Sequence, residues 1–342
     1  MPERIVVLAP NWLGDVVMAE PAVAALRRAH PAAHLAVAAR ASVAGVLAFV
    51  PGVDEVVTFP AGATTRVEAA RLAAGRFDTA VLLPNSFRSA WVARRAGIRR
   101  RAGFRGDGRS WLLTDAVERP TASRPAVAVR QIDYYLALTT ALGWVAGASV
   151  PRLLLTPAAR AEAEAALAAH GITPESPFVV LAPGAAGGPA KQWVPGHAAR
   201  LVERLVAGGT VRVVVVGAAA DRPVAAEVVG SLAPAARAGV VDLVGQTSLV
   251  ALAGLLARAR AVVANDSGAL HLAAALGAPV AAVFGPTDER LTAPTAADPA
   301  RVAVLTHHVW CRPCGLRTCP IDHSCMTGVT PERVFAAVEA WL

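Results

Sequence analysis

Short unbroken apolar runs alternate with longer stretches in which apolar residues recur every third or fourth position, and this alternation passes twice along the chain. Residues 4–9, 35–39, 53–58 and 79–83 are runs of the first kind and predict strands, whereas 16–29, 42–49 and 66–74 carry the helical period. A basic stretch and a predicted helix over 126–142 follow. Beyond them, 178–182, 211–216, 241–244, 261–264 and 280–284 predict five further strands, with a helix over 158–170 leading in. Strands that are apolar throughout need cover on both faces, so their alternation with helices predicts parallel sheets in an α/β protein. Residues 146–151, mostly small and ending in Pro151, read as a linker. The expected organisation is a domain over 1–150, a second over 151–330, and a last helix in 331–342 that stays with the second half or packs back on the first.

Composition narrows the picture. At 342 residues the chain can build two cores. Its mean hydropathy of +0.47 is high, but alanine supplies much of it. The longest uncharged run, 267–287, contains Gly277, Pro279, Gly285 and Pro286, so it reads as helix, turn and strand rather than a membrane span. Met1-Pro2-Glu3-Arg4 passes straight into a strand with no basic leader or cleavage site, so a cytosolic protein without a signal peptide is expected. The net charge of +8 points to an anionic partner. Nucleic acid fits poorly, because the arginines are concentrated at Arg88, Arg94, Arg95, Arg99, Arg100, Arg101, Arg105 and Arg109 rather than interleaved with stacking residues. With only Asp107 among them, they are expected to repel one another unless an anion lies across them. An acidic lipid or glycolipid at a membrane surface fits better.

In a doubly wound sheet, ligands bind beyond the carboxyl ends of the strands, so the residues after each run carry the candidate chemistry. The stretch from Ala264 to His271 joins an apolar strand to an apolar helix through Asn265, Asp266, Ser267 and Gly268. Free N–H groups and the positive end of a helix dipole at such a junction suit a phosphate, although Asp266 could serve as a helix cap alone. The loop 183–193 is glycine-rich and carries Lys191, a mobile charge suited to a diphosphate; it lacks the P-loop ending. Asp221, after the run ending in Val216, could accept bonds from ribose hydroxyls or cap a helix. In the first half, Asn11, Trp12 and Asp15 follow the first strand without a G-x-G-x-x-G pattern, which argues against hydride transfer. Arg88 follows the strand ending at Leu83 and is the arginine expected to face the crevice.

Five ordered segments together resemble the ADP-heptose:lipopolysaccharide heptosyltransferases of glycosyltransferase family 9, and within them the heptosyltransferase II branch. They are Asn11-Trp12-Leu13-Gly14-Asp15, the stretch from Leu83 to Ala90, Pro183-Gly184 with Pro189-Ala190-Lys191-Gln192-Trp193, Asn265 to Gly268 with Leu270-His271, and Phe284-Gly285-Pro286-Thr287. The resemblance implies a GT-B architecture: two Rossmann-like, doubly wound parallel-sheet domains facing a central crevice, the acceptor held by the first and the nucleotide sugar mainly by the second. It implies that Asp15 is the general base, that Lys191 and the segment Asp266, Ser267, Gly268, Leu270 and His271 hold the donor diphosphate, and that Asp221 and Thr247 lie near ribose and adenine. It further implies that Asn11, Trp12 and Arg88 meet an anionic Kdo-lipid A inner-core acceptor at the cytoplasmic face of the inner membrane. No cofactor beyond the ADP-heptose substrate is expected, nor a nucleic-acid partner, and the chain is expected to act as a monomer. Cys311, Cys314, Cys319 and Cys325 have a spacing that admits a structural metal, a disulfide or packed thiols; no metal is assigned to them. The alternatives are a GT-B transferase or epimerase for another nucleotide sugar, and a non-catalytic glycolipid-binding protein.

Overall fold

The computed structural model describes residues 3–120, 129–144 and 147–342, and its Cα framework divides into two compact units, Met1–Leu154 and Leu155–Leu342. The first unit holds a parallel sheet of β1 (Arg4–Leu8), β2 (His34–Arg40), β3 (Glu55–Phe59), β4 (Thr79–Leu82), β5 (Arg100–Phe104) and β6 (Asp115–Val117). Its order is β3-β2-β1-β4-β5-β6. The second unit repeats the plan with β7 (Phe178–Ala182), β8 (Arg212–Val215), β9 (Val240–Asp242), β10 (Ala261–Asn265), β11 (Val280–Phe284) and β12 (Val302–Thr306), ordered β12-β11-β10-β7-β8-β9. In each sheet the chain starts centrally, winds out to one edge, then crosses back to its fourth strand. The strand order therefore reverses between β1 and β4, and again between β7 and β10.

The central strands are apolar because both of their faces are covered. Ile5, Val6 and Val7 on β1 and Val179 and Val180 on β7 are buried. Ile5 aligns with Leu35 on one side and Thr79 on the other, and Val263 on β10 with Leu181 and Ala281. The last helix, Pro331–Glu339, places Val334 and Val338 in the second unit's core. Among the described residues no helix is long and apolar enough to cross a membrane.

Several elements differ from the pattern reading. The helix expected over 16–29 is two helices, Leu13–Met18 and Glu20–Ala29. Pro21 opens the second because its ring has no N–H to continue the first. The helix expected over 126–142 is observed as Gln131–Ala141; residues 126–128 lie outside the described residues, as does residue 146 at the start of the expected linker. Strands β5, β6 and β12 were not foreseen. In β5, Arg100 and Arg101 break the apolar pattern because the strand lies next to the sheet edge, where Arg100 reaches Asp115 on β6 at 3.0 Å and the Arg101 Nε donates to the Leu112 carbonyl at 2.7 Å.

Candidate active site

At a reversal of strand order, the loops leaving two neighbouring strands diverge and open a crevice. In the second unit these are the loop after β7 and the junction after β10. Asn265, buried at the end of β10, joins them: its Nδ2 donates to the Pro183 carbonyl at 2.7 Å and its Oδ1 accepts the Trp193 N–H at 2.9 Å. Held in this way, the glycine-rich loop delivers Lys191 to the junction. The Lys191 Nζ lies 2.6 Å from Asp266 Oδ2, and the His271 Nε2 lies 3.8 Å from Asp266 Oδ1. Burial opposes ionisation of Asp266, yet the His271 imidazole and the Lys191 ammonium outweigh it and hold the carboxyl at about 2.

The helix Gly268–Ala275 begins here with Ser267 at its N-cap position, and the Ser267 side chain makes no capping bond. Asp266 is therefore not the helix cap; its carboxylate faces Lys191 instead. The Asp266 N–H is also committed, donating to the Val283 carbonyl at 3.2 Å, so the available donors narrow to Gly268, Ala269 and Leu270, whose first-turn N–H groups have no partner within the helix. Leu270 is itself core and contributes only backbone. The Ser267 Oγ here, and the Thr287 Oγ1 in the loop after β11, are buried with no hydrogen-bond partner among the described residues. The Lys191 ammonium, paired with Asp266, the first-turn N–H groups and the unpaired Ser267 hydroxyl are the groups here that can donate to an anion.

Asp221 accepts the Ala218 N–H at 2.8 Å and presses against Gly184, where a Cβ would come within 2.1 Å of the Asp221 Cγ. Asp221 thus closes the short turn Ala219–Asp221 and makes no capping bond to the helix Arg222–Gly230 that follows, and it lies beside the glycine that begins the loop after β7. Thr247 lies in the loop after the edge strand β9, and Gly245 in that loop abuts Ala219, so Thr247 and Asp221 belong to adjoining turns. The cysteine segment supports the same loops. Ala190 N–H donates to the Arg317 carbonyl at 3.0 Å, the Ala190 carbonyl lies 2.7 Å from the His323 Nε2, and the Arg312 Nε donates to the Gly285 carbonyl at 2.5 Å. All four thiols are free, burial pushes the Cys325 thiol up, and among the described residues no group of three or more His, Cys, Asp or Glu is placed to hold a metal ion. His323, which lies inside the cysteine spacing that admits zinc, bonds the Ala190 carbonyl instead, and the supporting contacts of Arg312 and Arg317 have no signal in the sequence pattern because they form only in the fold.

In the first unit, Asp15 is not a cap either; it occupies the first turn of Leu13–Met18, where the helix dipole favours a carboxylate. Tyr135, on Gln131–Ala141, donates its hydroxyl to the Asp15 Oδ1 at 3.4 Å. Burial and the neighbouring carboxylate push the Tyr135 phenol well above its ordinary range, so it stays a donor. Asn85, after β4, donates to the Tyr134 hydroxyl at 2.8 Å. Arg109 holds this loop from beneath. Its side chain is 0% exposed, donates to the Phe104 carbonyl at 3.1 Å, to the Ser89 Oγ at 3.0 Å and to the Pro84 carbonyl, and burial lowers its pKa to about 10. Asn11 and Arg88 line one pocket with Phe59, Glu68 and Ser86, while Trp12 is exposed.

Most arginines of the cluster have partners within the protein. Arg88 forms a two-point pair with Glu68 at 2.8 and 3.2 Å, Arg100 pairs with Asp115, Arg105 with Glu118 at 3.2 Å, and Arg101 and Arg109 are held by carbonyls. Arg94 and Arg95 lie over the rings of Trp111 and Trp91, at 5.7 and 6.0 Å from the ring centres. The expectation that these charges are not interleaved with aromatics is therefore overturned: Phe87, Trp91, Phe104 and Trp111 stand among or beside the arginines in the sequence itself, and two of the rings meet Arg94 and Arg95 in the fold.

Comparison with known proteins bears on the family and the fold. The family model described as glycosyltransferase family 9 (heptosyltransferase) matches residues 67–324. The chain is 32% identical to a lipopolysaccharide heptosyltransferase 2 of Salmonella typhimurium, over 99% of this chain and 98% of that one. It is 33% identical to a lipooligosaccharide heptosyltransferase 2 of Haemophilus influenzae, over 85% and 86% of the two chains. Among solved structures, an ADP-heptose lipopolysaccharide heptosyltransferase II of Escherichia coli superposes with a TM-score of 0.82 at 30% identity, covering 99% of this chain and 98% of that one.

Proposed function

The chain belongs to glycosyltransferase family 9, and we propose that it transfers a heptose, with inversion, from ADP-L-glycero-D-manno-heptose to the inner-core heptose of lipopolysaccharide at the cytoplasmic face of the inner membrane. The observation that carries this reading is the anion site built by Lys191 and the Gly268–Ala275 helix end, together with full-length similarity to heptosyltransferases.

The reaction needs three things. The acceptor hydroxyl must lose a proton as its oxygen attacks the anomeric carbon, and Asp15 is assigned as the base, with Tyr135 holding one carboxylate oxygen. The bond from the anomeric carbon to the β-phosphate oxygen must break. The negative charge that ADP then carries must be met, and Lys191 with the N–H groups of Gly268, Ala269 and Leu270 is assigned to meet it without reorganisation. Asp221 and Thr247 are assigned to the nucleoside, and the pocket of Asn11 and Arg88 to the acceptor. In that pocket Glu68 neutralises part of the Arg88 charge, so Arg88 serves as an oriented hydrogen-bond donor more than as a free cation.

The test is mass spectrometry of products after incubation with ADP-heptose and either Kdo2-lipid A or its mono-heptosylated form. Gain of one heptose only on the mono-heptosylated acceptor is the expected outcome. Asp15→Asn is expected to lower turnover by about 10²- to 10⁴-fold while ADP binding persists. Loss of ADP binding in that variant would assign Asp15 a structural role instead.

A further inference from the structure

The helix Phe87–Arg95 has two working sides. Arg88, Ser89 and Val92 line the pocket assigned above to the acceptor. Phe87, Trp91 and Arg95, spaced one turn apart, share another side with Arg94. On that side Phe87 stacks on Trp91 with centroids 6.2 Å apart and meets Trp111, from the loop before β6, at 6.3 Å. Phe87 is 43% and Trp111 62% exposed, so the cluster presents apolar rings to solvent. Arg94 and Arg95 lie against two of those rings.

We infer that this patch is a docking surface for the headgroup region of a bilayer rich in anionic phospholipid. Three observations select that partner. Tryptophan and phenylalanine rings with an apolar body favour the boundary between headgroups and acyl chains. The charge at the patch is positive: Arg94 and Arg95 are exposed and stack on rings instead of pairing with acids, whereas the nearby Asp107 and Asp115 are taken by Arg119 at 2.8 Å and Arg100 at 3.0 Å. Guanidinium groups so placed reach lipid phosphates while the rings enter the interface. The shared helix also links the two sides, so a bilayer seated on the rings lies next to the pocket that takes a lipid-anchored acceptor. The inference deepens the proposed function and rests on it only in this last step.

The experiment is sedimentation of the full chain with vesicles of phosphatidylglycerol and phosphatidylethanolamine, and separately of phosphatidylcholine alone. Binding is expected to the first and to be weak for the second, and to fall as salt shortens the reach of the charges. Trp111→Ser and Phe87→Ser should each lower the partition coefficient roughly tenfold, as expected for one ring withdrawn from an apolar environment. Replacing Arg94 and Arg95 together by Gln should lower it by a roughly similar or larger factor, and only on the anionic vesicles. Trp111→Ser is expected to keep its turnover on a deacylated, water-soluble acceptor and its thermal transition. Equal partition of variants and parent would overturn the inference. So would loss of turnover on the soluble acceptor, which would make Trp111 part of the acceptor site, or a parent oligomer that becomes monomeric in Trp111→Ser, which would make a second copy the occupant. Vesicle binding that depends on these rings in a chain that transfers no heptose would uphold the docking surface and refute the proposed function.

Discussion

Replacing Lys191 with Met removes a charge and keeps most of the side chain's length, so it separates the electrostatic role of this residue from its packing. Two consequences follow from the geometry. Asp266 titrates at about 2 instead of 3.8, which corresponds to roughly 2 kcal/mol of net preference for the ionised form after the penalty of burial. Lys191 at 2.6 Å and His271 at 3.8 Å share that preference. Breaking a fully buried pair costs about 3–5 kcal/mol, but the Lys191 side chain is 23% exposed, so solvent reduces the effect. The expected loss is therefore about 1–2 kcal/mol, or roughly 2–8 °C in the transition of the second unit. The second consequence is larger. A charge-assisted hydrogen bond to a phosphate contributes about 1.5–3 kcal/mol, so the Kd for ADP should rise roughly 10- to 150-fold. Calorimetric titration with ADP and a thermal scan of the same sample measure both. An ADP Kd within about twofold of the parent's, alongside the expected thermal loss, would refute the assignment of Lys191 to the diphosphate and leave it a partner of Asp266 alone. Combining the change with Asp266→Asn closes a double-mutant cycle, in which a coupling below about 0.5 kcal/mol would show that the two side chains act independently.

Three further outcomes are expected. Tyr135→Phe should lower turnover about fivefold with little change in the KM for donor, since the phenol orients Asp15 and a hydrogen bond as long as 3.4 Å contributes about 1 kcal/mol; an unchanged turnover would remove Tyr135 from the site. Arg109→Met strands the Pro84 and Phe104 carbonyls that the guanidinium now satisfies, so the first unit should lose about 3 kcal/mol and roughly 10 °C in Tm, with ADP binding intact; retention of the parent Tm would contradict the clamp. Because the folded-state pKa of Asp266 is depressed, its contribution to stability is complete above the unfolded value near 4 and is lost as pH falls toward 2. Denaturant titrations between these limits should show about 2 kcal/mol of acid destabilisation that Asp266→Asn lacks, and parallel curves would mean that this carboxylate is not the group responsible.

Much of this protein follows from local pattern. Runs such as 4–9, 178–182 and 261–264 are apolar on both faces because a central parallel strand is covered on both faces, so the α/β class and most strands were legible from hydrophobicity alone. The same holds for residues placed by position along the chain: Asp15, Lys191 and Asp266 follow the first or fourth strand of their sheets, where a doubly wound fold puts its ligands. Strands β5 and β6 escaped because they lie toward the sheet edge, where exposed and half-exposed positions admit Arg100, Arg101 and Asp115 and the apolar run is interrupted; β12 is an apolar run on the edge of its sheet that the pattern reading leaves out.

Pairing was decided only by tertiary structure. Nothing in the order of residues shows that Arg88 is neutralised by Glu68, that Arg109 is buried under the loop after β4, or that Tyr135 reaches Asp15. Each of these contacts joins residues 20 or more positions apart. Side-chain periodicity reports which face a residue takes, whereas the partner of a charge depends on which elements the sheet order brings together. The contacts of Asp266, held beside a lysine 75 positions away, and of an aromatic patch assembled from two segments were set by that order, since electrostatic and stacking energies depend on distance in space and not on separation along the chain.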